Sequence, residues 1–187
     1  NKRVFFLFVE SNSTDRTVQE VIKFLETNEG ALLHTSSSIN LSLSDRIDRI
    51  SHYRNLGKTF LKNINASQFI LCDSDVYFDS SIVEPMLSHA DTYKSDFHCA
   101  FGLAGQIDRE NARVLTSGHY YDTSVFLSDS TAVSSWPRCL FSGCKSCYGY
   151  LPSNSGTIPV YTAFGGFAVV SKRVMHNQKL EWSPKVL

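Results

Sequence analysis

Two aspartates one residue apart, Asp73 and Asp75, follow directly on the apolar run Phe69-Ile70-Leu71-Cys72. Side chains at i and i+2 of an extended chain point to one side, so this carboxylate pair could share a hard divalent cation. Oxygen-only ligands would select Mn2+ or Mg2+ over zinc. The same residues, with Ser74 between them, also suit an ordinary strand-to-turn junction, where Asp and Ser are common. A second acidic stretch, Glu10-Ser11-Asn12-Ser13-Thr14-Asp15, follows the apolar residues 4–9. It reads either as a capped helix entrance or as a pocket where Glu10 and the neighbouring backbone of Val9 meet a nucleotide's base and ribose. Cys139, Cys144 and Cys147 offer three thiols but no fourth ligand at a zinc-site spacing, so free thiols or one disulfide are expected there.

The elements that must hold these residues follow from the apolar patterning. Residues 4–9 form a continuous run expected to be a strand buried on both faces. Val18, Val21, Ile22, Phe24 and Leu25 then recur at helical spacing, with Thr14 or Asp15 as the cap. Residues 31–34 read as a second strand. Ile47, Ile50, Tyr53, Leu56 and Phe60 mark an amphipathic helix over 46–61. Residues 69–72 read as a third core strand and 81–89 as a helix. This alternation predicts βαβ units and a parallel sheet with both acidic clusters at the carboxyl ends of its strands, where ligands sit in such folds. Residues 98–103, 112–117, 120–126 and 160–170 are expected to add antiparallel strands at the sheet edge. Residues 128–155 show no periodicity and read as a long functional loop.

Composition narrows the classes further. The chain has 187 residues, 42% hydrophobic and 19% charged, which suits a single globular domain. Eighteen basic residues balance eighteen acidic ones, so no net field draws in nucleic acid or an anionic membrane. No stretch reaches the about 18 apolar residues of a membrane span. Five cysteines make an odd number for a disulfide framework, which favours a reducing, cytoplasmic setting. Asn12, Asn40 and Asn65 begin N-x-S/T sequons, although a glycan on Asn12 would block the site just described. The chain starts at Asn1 without Met and stops at Leu187, so a piece of a longer protein is expected, from which an anchor could have been removed.

Taken together, ESNSTDRT after the first strand, HYRNLG late in the second helix and LCDSDV at the end of the third strand resemble the GT-A class of nucleotide-sugar glycosyltransferases. TAFGGFAVVSKRVM resembles that class's acceptor-side Gly-rich strand and helix. The chain as a whole also resembles glycosyltransferases encoded by large DNA viruses of algae, which would place it in a host cytoplasm. The resemblance implies a Rossmann-like mixed sheet, mainly parallel, with helices on both faces. It implies a nucleotide-binding half over 1–80 and an acceptor half over 81–187.

The same resemblance implies roles. Asp75 would bind Mn2+ or Mg2+ on the diphosphate of a UDP-sugar, and Asp73 would contact ribose or join the metal through water. Glu10 and Asn12 would line the nucleoside pocket, while Arg54 and Lys58 would approach the diphosphate; for Arg54 a solvated helix face is an equal reading. Gly165 and Gly166 would let backbone approach a sugar closely, or serve tight packing. Glu181 matches the base that deprotonates an acceptor hydroxyl on a glycan, against a plain surface glutamate. His176 is a candidate for a late metal ligand. A nucleotidyltransferase shares the sheet and metal, but the basic Gly-rich loop it usually carries after the first strand is absent here. A carbohydrate-binding or scaffold domain would release no UDP from a donor.

Overall fold

Alternate residues of the first strand carry large apolar side chains, and each set finds a different helix. The computed structural model describes residues 3–35, 46–100, 103–108, 113–120 and 166–183, in two compact units: Asn1–Ala66 with Arg173–Leu187, and Ser67–Lys172. In the first unit, β1 (Phe6–Ser11) pairs in parallel with β2 (Gly30–Thr35), from Phe6 against Gly30 to Ser11 against Thr35. Between them runs α1 (Thr17–Leu25), the crossover that a parallel pair requires. Phe24 of α1 meets the rings of Phe6 at 4.9 Å and Phe8 at 5.6 Å, both edge-on. The odd-numbered residues of β1 instead meet α2 (Arg46–Leu61), whose Gly57 lies against Val9 and Leu7. Phe5 stacks on Phe60 at 6.4 Å.

Helix α1 begins without a capping side chain on the residue just before it. Asp15 supplies the missing acceptor, its Oδ1 taking the backbone N–H of Thr17 at 2.9 Å and its hydroxyl at 2.6 Å. Over residues 48–61 of α2 the buried positions are the small ones, Ser51 and Gly57, while Ile50, Tyr53 and Leu56 of the expected stripe are half-buried and Phe60 is exposed. A side chain at Gly57 would put its Cβ 3.2 Å from Val9, so the bare backbone sets the helix-to-strand approach.

The second unit is built on an antiparallel sheet in the order β3-β7-β4. Its strands are β3 (Gln68–Cys72), β4 (Phe97–Cys99) and β7 (Phe167–Ser171). β7 is central, and Phe167, Ala168, Val169 and Val170 are all buried, the run expected of a strand covered on both faces. A 3-10 turn over Ser80–Ile82 leads into α3 (Val83–Thr92), whose Pro85 sits in the first turn where no N–H is needed. Gln68 ties β3 to α3 by donating to Asp91 Oδ1 at 2.7 Å and Leu87 O at 3.2 Å. The hairpin of β5 (Leu103–Asp108) and β6 (Arg113–Tyr120) forms its own antiparallel ladder, with a register shift between Leu103 and Gly105. A short helix, α4 (Lys172–His176), follows β7.

The fold is therefore mixed α/β, but its sheets differ from the expectation of one mainly parallel sheet. Among the described residues one strand pair is parallel and three are antiparallel. β7 does not extend an edge: it lies between β3 and β4, because a run of four buried apolar residues needs neighbours on both sides. β3 in turn is not a strand buried on both faces, since Phe69 is buried while Ile70 is exposed. No helix among the described residues is long and apolar enough to cross a membrane.

Candidate functional site

Residues 73–76 form a tight turn at the end of β3, not a continuation of the strand. The N–H of Val76 donates to Asp73 O at 3.2 Å, so Ser74 and Asp75 occupy the centre of the turn. The extended-chain geometry that would aim both carboxylates to one side is lost here. Asp73 is half-buried, whereas Asp75 and Ser74 are exposed. The turn is held from the sheet side by Gly166, whose carbonyl accepts the N–H of Asp73 at 2.8 Å. Gly166 has φ +78, and a Cβ there would come within 2.3 Å of Val76 and 3.9 Å of Asp73 Oδ2. Gly166 thus packs tightly against the acidic turn, the second of its two readings; Gly165 lies outside the described residues. Burial pushes the Cys72 thiol above its ordinary pKa, and the negative charges of Asp73 and Asp75 push it further.

The other acidic turn closes on itself. Glu10 is 7% exposed, and its Oε1 accepts the N–H of Ser13 at 2.6 Å. His34, its neighbour across the β1–β2 ladder, donates from Nδ1 to Oε2 at 2.5 Å. Burial works to raise the Glu10 pKa, but hydrogen bonds from Ser13 and the nearby His34 outweigh it and hold the carboxyl below its ordinary range. Asp15 caps α1, as expected, and Glu10 holds the Ser13 amide four residues before the helix begins. Each carboxylate oxygen keeps a further lone pair, so a nucleoside contact is not blocked. Asn12, exposed at the tip, has φ 57, a left-handed conformation that Asn tolerates better than most residues.

The HYRNLG segment is spent on the fold. Asn55 bonds the backbone of Trp182 twice, its Nδ2 donating to the carbonyl at 2.9 Å and its Oδ1 accepting the N–H at 2.8 Å. Arg54 lies over the Trp182 ring, 5.1 Å from its centre. Lys58 donates from Nζ to the carbonyls of Asn177, at 2.7 Å, and Leu180. Burial lowers the Lys58 pKa, and the charge of Glu181 partly restores it. Arg54 and Lys58, expected at a diphosphate, thus clasp residues 177–182 to α2. Glu181 rides exposed on that clasped segment, between two anchored residues. Tyr53, the residue before Arg54, donates its hydroxyl to Ser11 Oγ at 2.6 Å.

His34 and Trp182 escaped the sequence reading, because their partners lie 24 and 127 residues away and no local pattern marks either. Among the described residues no three His, Cys, Asp or Glu side chains converge as a metal site, and His176 joins no such group. Cys139, Cys144, Cys147 and Asn40 lie outside the described residues. Comparison with protein-family models, curated proteins and solved structures finds no match to this chain.

Proposed function

We propose that the chain is a metal-dependent glycosyltransferase domain of GT-A type, moving a sugar from a nucleoside diphosphate donor, UDP-linked, to a hydroxyl on a glycan. The observation that supports this most is the turn after β3, which presents the Asp75 carboxylate to solvent on a backbone locked by Gly166. Two carboxylates with no third ligand converging among the described residues suit Mn2+ or Mg2+, which bind through one or two carboxylates and complete their shell with phosphate and water. Asp75 would hold the ion and Asp73 would assist, directly to ribose or through water. Such an ion stabilises the charge that develops on a departing diphosphate. Glu181 is the carboxylate proposed to take the acceptor proton.

Calorimetry with UDP tests this reading. Affinity is expected to fall tenfold or more, about 1.4 kcal/mol, in EDTA or in Asp75→Ala. Unchanged affinity in both removes the metal role. One observation favours a binding or scaffold domain instead: Glu10 and Lys58 already have partners within the fold. Incubation with a UDP-sugar separates the two, because a binding domain releases no UDP with or without metal.

A further inference from the structure

We propose that His89 and His98 form an acid-sensitive latch, closed while both rings are neutral and opened by their protonation, which releases α3 from the β3-β7-β4 sheet. The inference concerns this sheet and helix alone and stands whether or not the chain is a transferase. In register, His98 of β4 lies opposite Val169 of β7, and Val169 opposite Ile70 of β3. Gln68, two residues before Ile70 and so on the same face, donates to Leu87 and Asp91, which puts α3 over that face. His98 is buried there at 9% exposure, and its ring meets that of His89 on α3 edge-on, with centres 6.1 Å apart. Tyr93 lies beyond, its ring 6.2 Å from that of His89.

A second positive charge in this contact would repel the first, and the surrounding groups do not offset it. On α3, Glu84 is exposed five residues back, and the Asp91 carboxylate takes the Gln68 amide. Asp96, before β4, takes the hydroxyl of Ser171 at 2.8 Å, and Lys94 is exposed in the turn between α3 and β4. β7 and the 3-10 turn carry no ionisable side chain, and the strands beside β7 add only Cys72 and Cys99. Burial holds the His98 pKa below its ordinary value, and the charge of His89 lowers it further. With α3 released, His98 returns toward the ordinary value of about 6.5. The latch is therefore fully closed above that value and opens as pH falls from it toward the lower folded one. Because α3 anchors the downstream end of residues 73–82, its release also slackens the stretch that carries Asp75.

The test is hydrogen exchange by mass spectrometry on the whole chain at about pH 7.5 and about pH 5.5, corrected for the intrinsic pH dependence of amide exchange, with β7 peptides as the internal reference. In wild type, protection of α3 relative to β7 should fall by about fivefold or more at the lower pH. The ratio should stay within about twofold in His98→Gln and fall by an intermediate factor in His89→Gln, which keeps the buried ring but removes the charge beside it. An α3 protected equally at both pH values, an equal loss in wild type and His98→Gln, or α3 and β7 losing protection together would overturn the latch. An imidazole NMR titration of wild type keeps the test independent of how the variants fold. The His98 ring should gain its proton over the same pH range in which α3 opens, and protonation with α3 still protected would also overturn the proposal.

Discussion

Two acidic turns end two apolar strands in this protein, and they use their carboxylates in opposite ways. At the end of β1, Glu10 is buried, with one oxygen on the Ser13 amide and the other on His34. Past the end of β3, Asp75 faces solvent while the backbone beneath it is fixed by Gly166. The first turn spends its charge to close itself; the second uses backbone bonds and a glycine to close, and keeps a charge available. An acid at the end of a strand is therefore ambiguous until its partners are known. Where the turn closes through backbone alone, the carboxylate is left for a ligand.

The largest expected effect contrasts the glycines that position these turns. Gly166→Ala must adopt φ +78 and place a Cβ 2.3 Å from Val76, and is expected to cost about 2–4 kcal/mol in urea unfolding. Gly57→Ala meets Val9 only at 3.2 Å and gains the helix preference of Ala, so its net effect should stay within about 1 kcal/mol. Equal losses in the two variants would mean that the backbone at Gly166 does not hold the acidic turn.

Next comes the closed turn. Glu10→Gln should destabilise by about 1.5–3 kcal/mol near neutral pH, because it weakens hydrogen bonds to a buried charge. The folded Glu10 pKa lies below its unfolded value, so its contribution is present above the ordinary Glu range and is lost as pH falls through the lower folded value. Urea midpoints of wild type and Glu10→Gln should therefore converge as the pH drops below about 4. Asp75→Asn, by contrast, should change stability by less than about 0.5 kcal/mol, as for an exposed surface group. A parallel pH dependence in the two variants would erase the distinction drawn between the turns.

The smallest effect reads the charge of the open turn from inside. Asp73 and Asp75 help hold the Cys72 thiol protonated, so Asp75→Asn should lower its pKa and speed alkylation at fixed pH. Saturating Mg2+ should do the same in wild type if the turn binds the ion. Peptide mapping after timed iodoacetamide treatment isolates Cys72 from the other four cysteines. No change with Mg2+, alongside a clear change in Asp75→Asn, would show a charged turn that takes no cation.

Local pattern by itself determined the elements whose signal is local. The run at residues 4–9, the helical spacing over 46–61 and the apolar 69–72 all became regular elements within two residues of their expected bounds, because burial periodicity and propensity act over a few residues. It also marked the acidic turn after β3, since an abrupt change from apolar to acidic ends a strand. Tertiary structure decided which strands pair. β7 entered the middle of an antiparallel sheet because a run buried along its whole length needs a neighbour on each side, and which neighbours it takes is set by segments some 100 and some 70 residues earlier. It also decided which charges are spent: Glu10 on His34, and Lys58 on carbonyls more than a hundred residues away. A side chain's type states what it can bind, but only the folded chain fixes what stands within reach of it.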